Sequence, residues 1–387
     1  MPTDTLLTPL TETQREVQRL ARDFAAAEIA PHAEAWDRDA YFEPSIVPRM
    51  GALGFLGMLL PEEHDGLGLD TVSYLLALEE IAAADASTAV LMSVHNSLPT
   101  QMLLHWGSDD QKARFLAPMA RGEKLGAFAL SEADAGSDAA ALSCQAVKDG
   151  DDWVLTGTKA WVTNGNTADV ILAMARTDAP KARRGAKGIS AFIVTPAMPG
   201  FSVGKKEDKL GLRASPTVQL RFDEMRVPAA NLLGKPGQGF IYAMQSLDHG
   251  RLGIAAQAIG IARAALDAAV AYAGERTQFG QPIRDFQAIQ FKLADMATRV
   301  AAARALLHAT AAAKDRGEAV GMFGSMSKLL ASETAMWVTT QAVQVFGGYG
   351  YVKEYPVERY FRDAKVTEIY EGTSEIQRVI IARALSA

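Results

Sequence analysis

A chain of 387 residues is long enough for two or three domains and a sizeable buried core, which excludes a minimal peptide-binding module. Hydrophobic residues make up 49% and charged residues 22%, and glycine (32) and proline (16) stand at ordinary levels, so fibrous, collagen-like and disordered classes are excluded. The formal net charge of −6 disfavours a nucleic-acid partner, and the single cysteine, Cys144, admits neither an intrachain disulfide nor a multi-cysteine metal site.

The opening MPTDTLLTPLTETQREV carries an early Asp4 and neither a basic leader nor a long apolar run, so it reads as no targeting signal. No uninterrupted span of about 20 apolar residues is seen, and the expectation is a cytoplasmic protein without a membrane segment. Apolar residues at helical spacing (Val17, Leu20, Ala21, Phe24, Ala25, Ile29) predict a helix from Glu12 to Ala30, ended by Pro31. Similar patterns predict helices at Glu43–Leu53, Thr71–Ala84, Ala86–Leu104 and Asp109–Arg121.

The period then changes. Trp153–Thr163, Val170–Ala175, Ser190–Val194, Val218–Phe222 and Arg226–Pro228 are short β-prone runs bounded by Gly, Asp, Asn and Pro, with a further strand expected at Phe128–Leu130. After Gly237 come three long alanine-rich amphipathic stretches, Phe240–Tyr272, Phe286–Lys314 and Gly321–Phe346, which predict a close-packed bundle. A last short helix is signalled by Ser374-Glu375-Ile376-Gln377, in which Ser374 would cap and Gln377 reach back. The expected organisation is an N-terminal α domain (1–124), a middle β domain (125–233) and a C-terminal helical bundle (234–387).

The six histidines form no HExxH or other short-spaced metal pair, and no GxSxG elbow, GxxxxGK[ST] loop or strand-then-GxGxxG unit is present. Three segments carry more than packing demands. ALSEADAGSD (129–138) is rich in small and hydroxyl residues, suited either to a plain turn or to backbone contact with a phosphate or flat polar ring. In TKAWVTNG (158–165), Trp161 and Thr163 share a face by the period of two, which suits a core tryptophan or an aromatic cofactor. The third runs from Gln344 to Ile380. Its paired glycines Gly347 and Gly348 end a long helix, and Glu371 lies between apolar residues and a helix N-terminus. Burial there would raise a carboxyl from about 4.3 towards neutrality, as a general base needs; a surface or cap-region glutamate is the other reading.

Together these segments resemble the acyl-CoA dehydrogenases over nearly the whole chain. ALSEADAGSDAAA and QVFGGYGYVKEYPVERYFRD match the family's two long signatures, with GTKAWVTNG, ERTQFGQPI, FQAIQFKLADMA and IYEGTSEIQR in the expected order. SVHNSL, FALSE, GKKEDKLG and LDHGRLGIA bring the chain nearest to the short-chain, butyryl-CoA group. The resemblance implies an α+β fold of helical, β-barrel and four-helix-bundle domains, and FAD-dependent α,β-dehydrogenation of acyl-CoA to the trans-2-enoyl-CoA. Glu371 would take the α-proton while the β-hydride passes to flavin N5, with the Glu371 N–H and a flavin ribityl hydroxyl meeting the thioester carbonyl. Some relatives carry the base on the long helix instead, directly before an arginine; here that position is Gly250, before Arg251.

By the same resemblance Phe128, Leu130, Ser131, Gly136, Ser137, Trp161 and Thr163 would surround the flavin. Arg276, Gln278, Phe279 and Gln287 would reach pyrophosphate and adenosine from a neighbouring subunit, with Gln344, Gly347 and Gly348 beside the adenine, and Thr373 and Glu375 would complete the cofactor site. Ser137, Asp248, Arg251 and Gly372 match acyl-CoA contacts. The family implies a homotetramer built as a dimer of dimers and electron-transferring flavoprotein as acceptor, while the histidine and cysteine pattern gives no expectation of a metal. Branched-chain or medium-chain acyl-CoA remain alternative substrates, because pocket depth depends on side chains such as Leu91, Met92 and Tyr349; an oxidase and a non-catalytic flavin scaffold are more remote readings.

Overall fold

The computed structural model describes residues 9–178 and 185–386, so the first eight residues of the segment read for a targeting signal lie outside it. Helix α1 (Glu12–Phe24) begins at Thr11, where the Gln14 N–H donates to the Thr11 hydroxyl and the Thr11 N–H donates to the Gln14 side chain. A single π turn, Ala25–Ile29, carries it on towards Pro31. After α2 (Ala33–Asp39) and α3 (Ile46–Ala52), α4 (Thr71–Ala84) and α5 (Ala86–Ser97) are buried nearly all round and capped by Asp70 and Asp85. The helix expected over Ala86–Leu104 breaks at Leu98 and restarts as α6 (Pro99–Trp106), because Pro99 has no N–H to continue the ladder but suits a first helical position. The Asp109–Arg121 pattern is likewise divided, into α7 (Asp109–Gln111), a π turn (Lys112–Leu116) and α8 (Ala117–Ala120).

The middle region is one eight-stranded sheet, β1 (Gly126–Ala129), β2 (Gln145–Asp149), β3 (Asp152–Thr163), β4 (Val170–Arg176), β5 (Ile189–Val194), β6 (Phe201–Lys206), β7 (Thr217–Val227) and β8 (Leu232–Leu233). Its order is β6-β7-β3-β2-β4-β5-β8, with β1 parallel to β4. Strand β4 is apolar throughout because both its faces are covered. Val170, Leu172 and Met174 pack towards the helices with Met102, Leu103 and Phe115, while Ile171, Ala173 and Ala175 pack inside the sheet with Phe192 and Phe222. The two runs read separately at 218–222 and 226–228 are a single strand, β7. Strand β6 escapes the alternation rule because it is an exposed edge paired only with β7, and Lys205 and Lys206 give it a solvated face.

Five helices follow: α9 (Gly239–Glu275), α10 (Gln287–Asp315), α11 (Gly321–Phe346), α12 (Val357–Val366) and α13 (Ser374–Leu385). By length and composition α9 is apolar enough to cross a membrane, but 67% of its apolar window is buried, and the helix packs chiefly against α11 and α4, with α10 and α5 beside them. It is the central core helix joining the two helical layers, and its buried alanines let the neighbours approach closely. The expected capping box at Ser374 is corrected: the cap of α13 is Thr373, whose hydroxyl accepts from the Ile376 N–H. Gln377 instead turns back to the backbone before the helix, since the strained turn there has carbonyls to satisfy.

The N-terminal and C-terminal helices are also joined by charge. Buried Glu79 of α4 accepts from Arg304 Nε (2.8 Å), pairs with His308 Nε2 (2.9 Å) and lies 3.6 Å from Arg263, while Glu80 accepts from Gln18, Arg22 and Arg263. Burial pushes the Glu79 carboxyl up, and the surrounding cations outweigh it, holding the group down at about 2. Glu79→Ala removes the buried carboxylate that Arg304 and His308 share and is expected to destabilise the fold by about 3–5 kcal/mol in chemical denaturation. The folded value lies below the ordinary one, so the contribution of Glu79 is present above about pH 4.5 and fades as pH falls towards about 2.

Candidate active site

Strand β1 ends at Ala129, and the chain crosses a loop before β2 begins at Gln145. What shapes that loop is a buried ion pair. Lys159 of β3, fully buried, donates to Leu130 O (3.1 Å) and to Glu132 Oε1 (2.7 Å), and Glu132 also accepts from Ser143 N, Ser143 Oγ and Cys144 N. Burial pushes the Glu132 carboxyl up, but Lys159 and these donors hold it below its ordinary value. The Ala160 N–H donates to Ser131 O (2.9 Å), so the loop is tied to β3 immediately before Trp161.

At that point β3 slips register against β7, and Trp161 takes φ +59°. Its indole is 61% exposed, Val162 is buried and Thr163 is half-buried. Phe128, on β1, is half-buried; on the loop Leu130 is buried, Ser131 is half-buried, and Gly136 and Ser137 are exposed. This set therefore combines a presented aromatic face with accessible backbone and hydroxyl groups.

A second set forms between α12 and α13. Tyr370 donates its hydroxyl proton to Gln257 Oε1 of α9, whose amide donates to Ala86 O (2.8 Å), anchoring the chain just before Glu371. Glu371 then takes φ +51° and Gly372 φ +93°. A left-handed non-glycine residue costs about 1–2 kcal/mol and persists where its surroundings hold it. Glu371 as a whole residue is half-buried, but both carboxylate oxygens are buried, and neither has a hydrogen-bond partner.

The carboxylate lies over Gly250 of α9, so close that a Cβ built there would sit 1.9 Å from Glu371 Oε2. Burial raises the Glu371 carboxyl to about 7, against the opposing charges of Lys328 and Arg251. Arg251 is buried and pairs with Asp248 one turn earlier. Thr373 caps α13, and Glu375 is exposed in its first turn. A dry, unpaired carboxylate of near-neutral proton affinity beside an arginine is equipped to take a proton from a weak carbon acid.

The third set lies apart. A groove of about 900 Å³ is lined by Arg276, Gln278, Phe279, Gly347, Gly348 and Tyr349 among others, and contains neither Glu371 nor Trp161. Phe279 is 95% exposed, Arg276 lies over the Tyr349 ring, and Gln287 and Gln344 are exposed next in sequence to lining residues. A Cβ at Gly136, Gly347 or Gly348 would meet nothing within 4 Å, so ligand and backbone can approach closely there. A flat ring at Trp161 and an anionic linker at an arginine are what these residues fit, and a flavin dinucleotide has both.

Sequence reasoning missed Lys328 and the Tyr370–Gln257 anchor, gave Lys159 no role, read Gln377 as part of a capping box rather than as a donor to the Glu371 and Gly372 carbonyls, and read Glu132 only as part of a loop. Each serves a partner distant in sequence or a backbone carbonyl, and no spacing rule marks such a residue.

Family models of the acyl-CoA dehydrogenase N-terminal, middle and C-terminal domains match residues 11–123, 127–225 and 237–386. The short-chain specific acyl-CoA dehydrogenase of Mus musculus mitochondria is 52% identical over 373 residues, 96% of this chain and 90% of that protein. Butyryl-CoA dehydrogenase from Megasphaera elsdenii superposes with a TM-score of 0.95 at 44% identity, covering 98% of this chain and all of that one. A chain from the solved structure of the electron transferring flavoprotein of Acidaminococcus fermentans also superposes at 0.95, with 47% identity and coverage of 97% and 98%. The chain therefore belongs to the acyl-CoA dehydrogenase family, and it is an oxidoreductase acting on an acyl-CoA.

Proposed function

We propose that this enzyme dehydrogenates short-chain acyl-CoA thioesters to trans-2-enoyl-CoA, with Glu371 as the base. The observation that carries the assignment is the Glu371 carboxylate, buried, unpaired, raised to about 7 and seated where Gly250 leaves room. Glu371 accepts the α-proton, and the α C–H electron pair becomes the second bond between Cα and Cβ as the β-hydrogen departs with its own pair. When bound, FAD supplies the acceptor for that hydride at N5. The buried setting strengthens the hydrogen bonds that meet the thioester carbonyl, and the Glu371 N–H is the protein donor in this reading.

Phe128, Leu130, Ser131, Gly136, Ser137, Trp161 and Thr163 would hold the flavin ring, with Thr373 and Glu375 closing the site. Arg276, Gln278, Phe279, Gln287, Gln344, Gly347 and Gly348 would hold the pyrophosphate and adenosine of a neighbouring subunit's cofactor. Their separation from Glu371 within one chain, and the exposed Phe279 and Tyr351, support a homotetramer. Ser137, Asp248, Arg251 and Gly372 would contact acyl-CoA, and the domains would meet near residues 124 and 233. Likeness to short-chain specific and butyryl-CoA enzymes supports the chain length, and the likeness to a chain of the flavoprotein structure supports electron-transferring flavoprotein as acceptor.

The test is an anaerobic titration of the purified holoenzyme with butyryl-, octanoyl- and isobutyryl-CoA, following the visible flavin band. Butyryl-CoA is expected to bleach it most readily. Preference for either of the others would reassign the substrate, and no bleaching by any acyl-CoA would remove the dehydrogenase reading.

A further inference from the structure

The Glu371–Gly372 turn is left-handed at both residues, and the groups that hold it sit beneath it. Gln377 Nε2 donates to Glu371 O (3.2 Å) and to Gly372 O (2.9 Å). Lys328 Nζ, from the N-terminal part of α11, donates to Gly372 O (2.8 Å). Both side chains are fully buried. For Gln377 a backbone partner is an ordinary arrangement, but for Lys328 it is not. Among the described residues this ammonium has no carboxylate within 4 Å, and burying a charge on a single carbonyl is costly when a neutral donor would make the same bond. The charge itself therefore calls for a role.

The charged and titratable groups around it identify that role. Glu371 and Glu368 face Lys328 from the turn and its approach, Glu375 from α13 and Arg251 from α9. Glu371 in turn feels Lys328 from α11, Arg251 from α9, Tyr74 from α4 and its neighbour Tyr370. Of the two cations acting on Glu371, Lys328 is the stronger, and Arg251 already pairs with Asp248.

We propose that Lys328 and Gln377 are positioning residues for the dehydrogenation described above: both pin the carbonyl of Gly372 so that the base keeps its left-handed seat over Gly250, and of the two Lys328 alone adds a positive charge that favours the ionised form of the base in a dry site. The inference rests on the assignment of Glu371 as the base. Burial pushes Lys328 down to about 8, so the ammonium remains charged through neutral pH.

The experiment compares the pH profiles of kcat and kcat/KM for butyryl-CoA in the flavin-loaded wild type, Lys328→Met, Lys328→Gln and Gln377→Met, normalised to bound flavin. Removing the charge is expected to move the base's apparent pKa up by about one unit and to lower kcat at pH 7 about tenfold, with recovery at alkaline pH and little change in KM. Gln377→Met is expected to lower kcat at every pH without moving the profile, since it removes hydrogen bonds and no charge. Should Lys328→Met not retain flavin, Lys328→Gln and Gln377→Met decide the matter by the same contrast.

Wild-type profiles in the variants that retain flavin, or a loss of rate proportional only to lost flavin, would overturn the proposal. Failure of all three variants to retain flavin would also overturn it, because that marks a purely structural role. A wild type that no acyl-CoA reduces would instead sink the functional reading on which this one stands.

Discussion

Glu371→Gln is expected to lower turnover of butyryl-CoA by about 10²–10⁴-fold while flavin and acyl-CoA still bind. The substitution keeps the volume and polarity of the side chain and removes only its capacity to take a proton. In the native enzyme kcat/KM should rise as pH passes through about 7, where burial has placed the carboxyl against the pull of Lys328 and Arg251. Below that value the base is protonated and idle; above it the base is ready. The same shift has a stability cost of known sign. A carboxyl whose folded value exceeds its unfolded one contributes most when both states are protonated, below about pH 4.5, and loses that contribution as pH rises through about 7. Glu371→Gln has nothing to ionise, so its unfolding midpoint relative to the native enzyme should be higher at pH 8 than at pH 4. A variant that retained full reductive activity would remove Glu371 from the role of base.

Gly250→Ala is expected to separate activity from stability. A methyl group at this position would sit 1.9 Å from Glu371 Oε2, a distance no pair of atoms tolerates, so one of the two must move. The atom in the way is the end of a side chain rather than backbone, and alanine is favoured over glycine by about 1 kcal/mol within a helix. The fold should therefore be unharmed or slightly firmer in denaturant. The carboxylate, however, must leave its seat, and a displacement of about 1 Å at a reacting group costs on the order of 100-fold in rate. Turnover and denaturation measured on the same preparation read both effects. Native kcat in Gly250→Ala would mean that the base does not work from above α9.

A side chain at position 250 and the Glu371 carboxylate are exclusive in this geometry. The space is single: either a side chain from α9 fills it, or Glu371 reaches across the absence of one. The left-handed course of Glu371 and Gly372 is what lets the turn between α12 and α13 deliver a carboxylate there.

The order of helices, strands and helices was legible from periodicity, because amphipathic helices such as α1 and apolar strands such as β4 carry their burial pattern in their own residues. So too were the long helices α9 to α11, whose alanine content announces close packing. The polar edge strand β6 was not, since an exposed strand has no reason to alternate, and the break before α6 was overridden by an otherwise helical pattern. The cap of α13 fell one residue from the expected position because Thr373 and Ser374 offer equivalent hydroxyls, and only the path of the preceding turn selects between them.

Long, specific motifs in the sequence by themselves determined the family, and with it Glu371 as the residue to test. Tertiary structure alone decided what that glutamate is. Its dryness, its place over Gly250, the ammonium of Lys328 beneath its turn and the Glu132–Lys159 pair that shapes the loop before Trp161 all join residues far apart in the chain. Proton affinity and position are set by desolvation and by neighbouring charges in space, and neither quantity has a local signature in sequence.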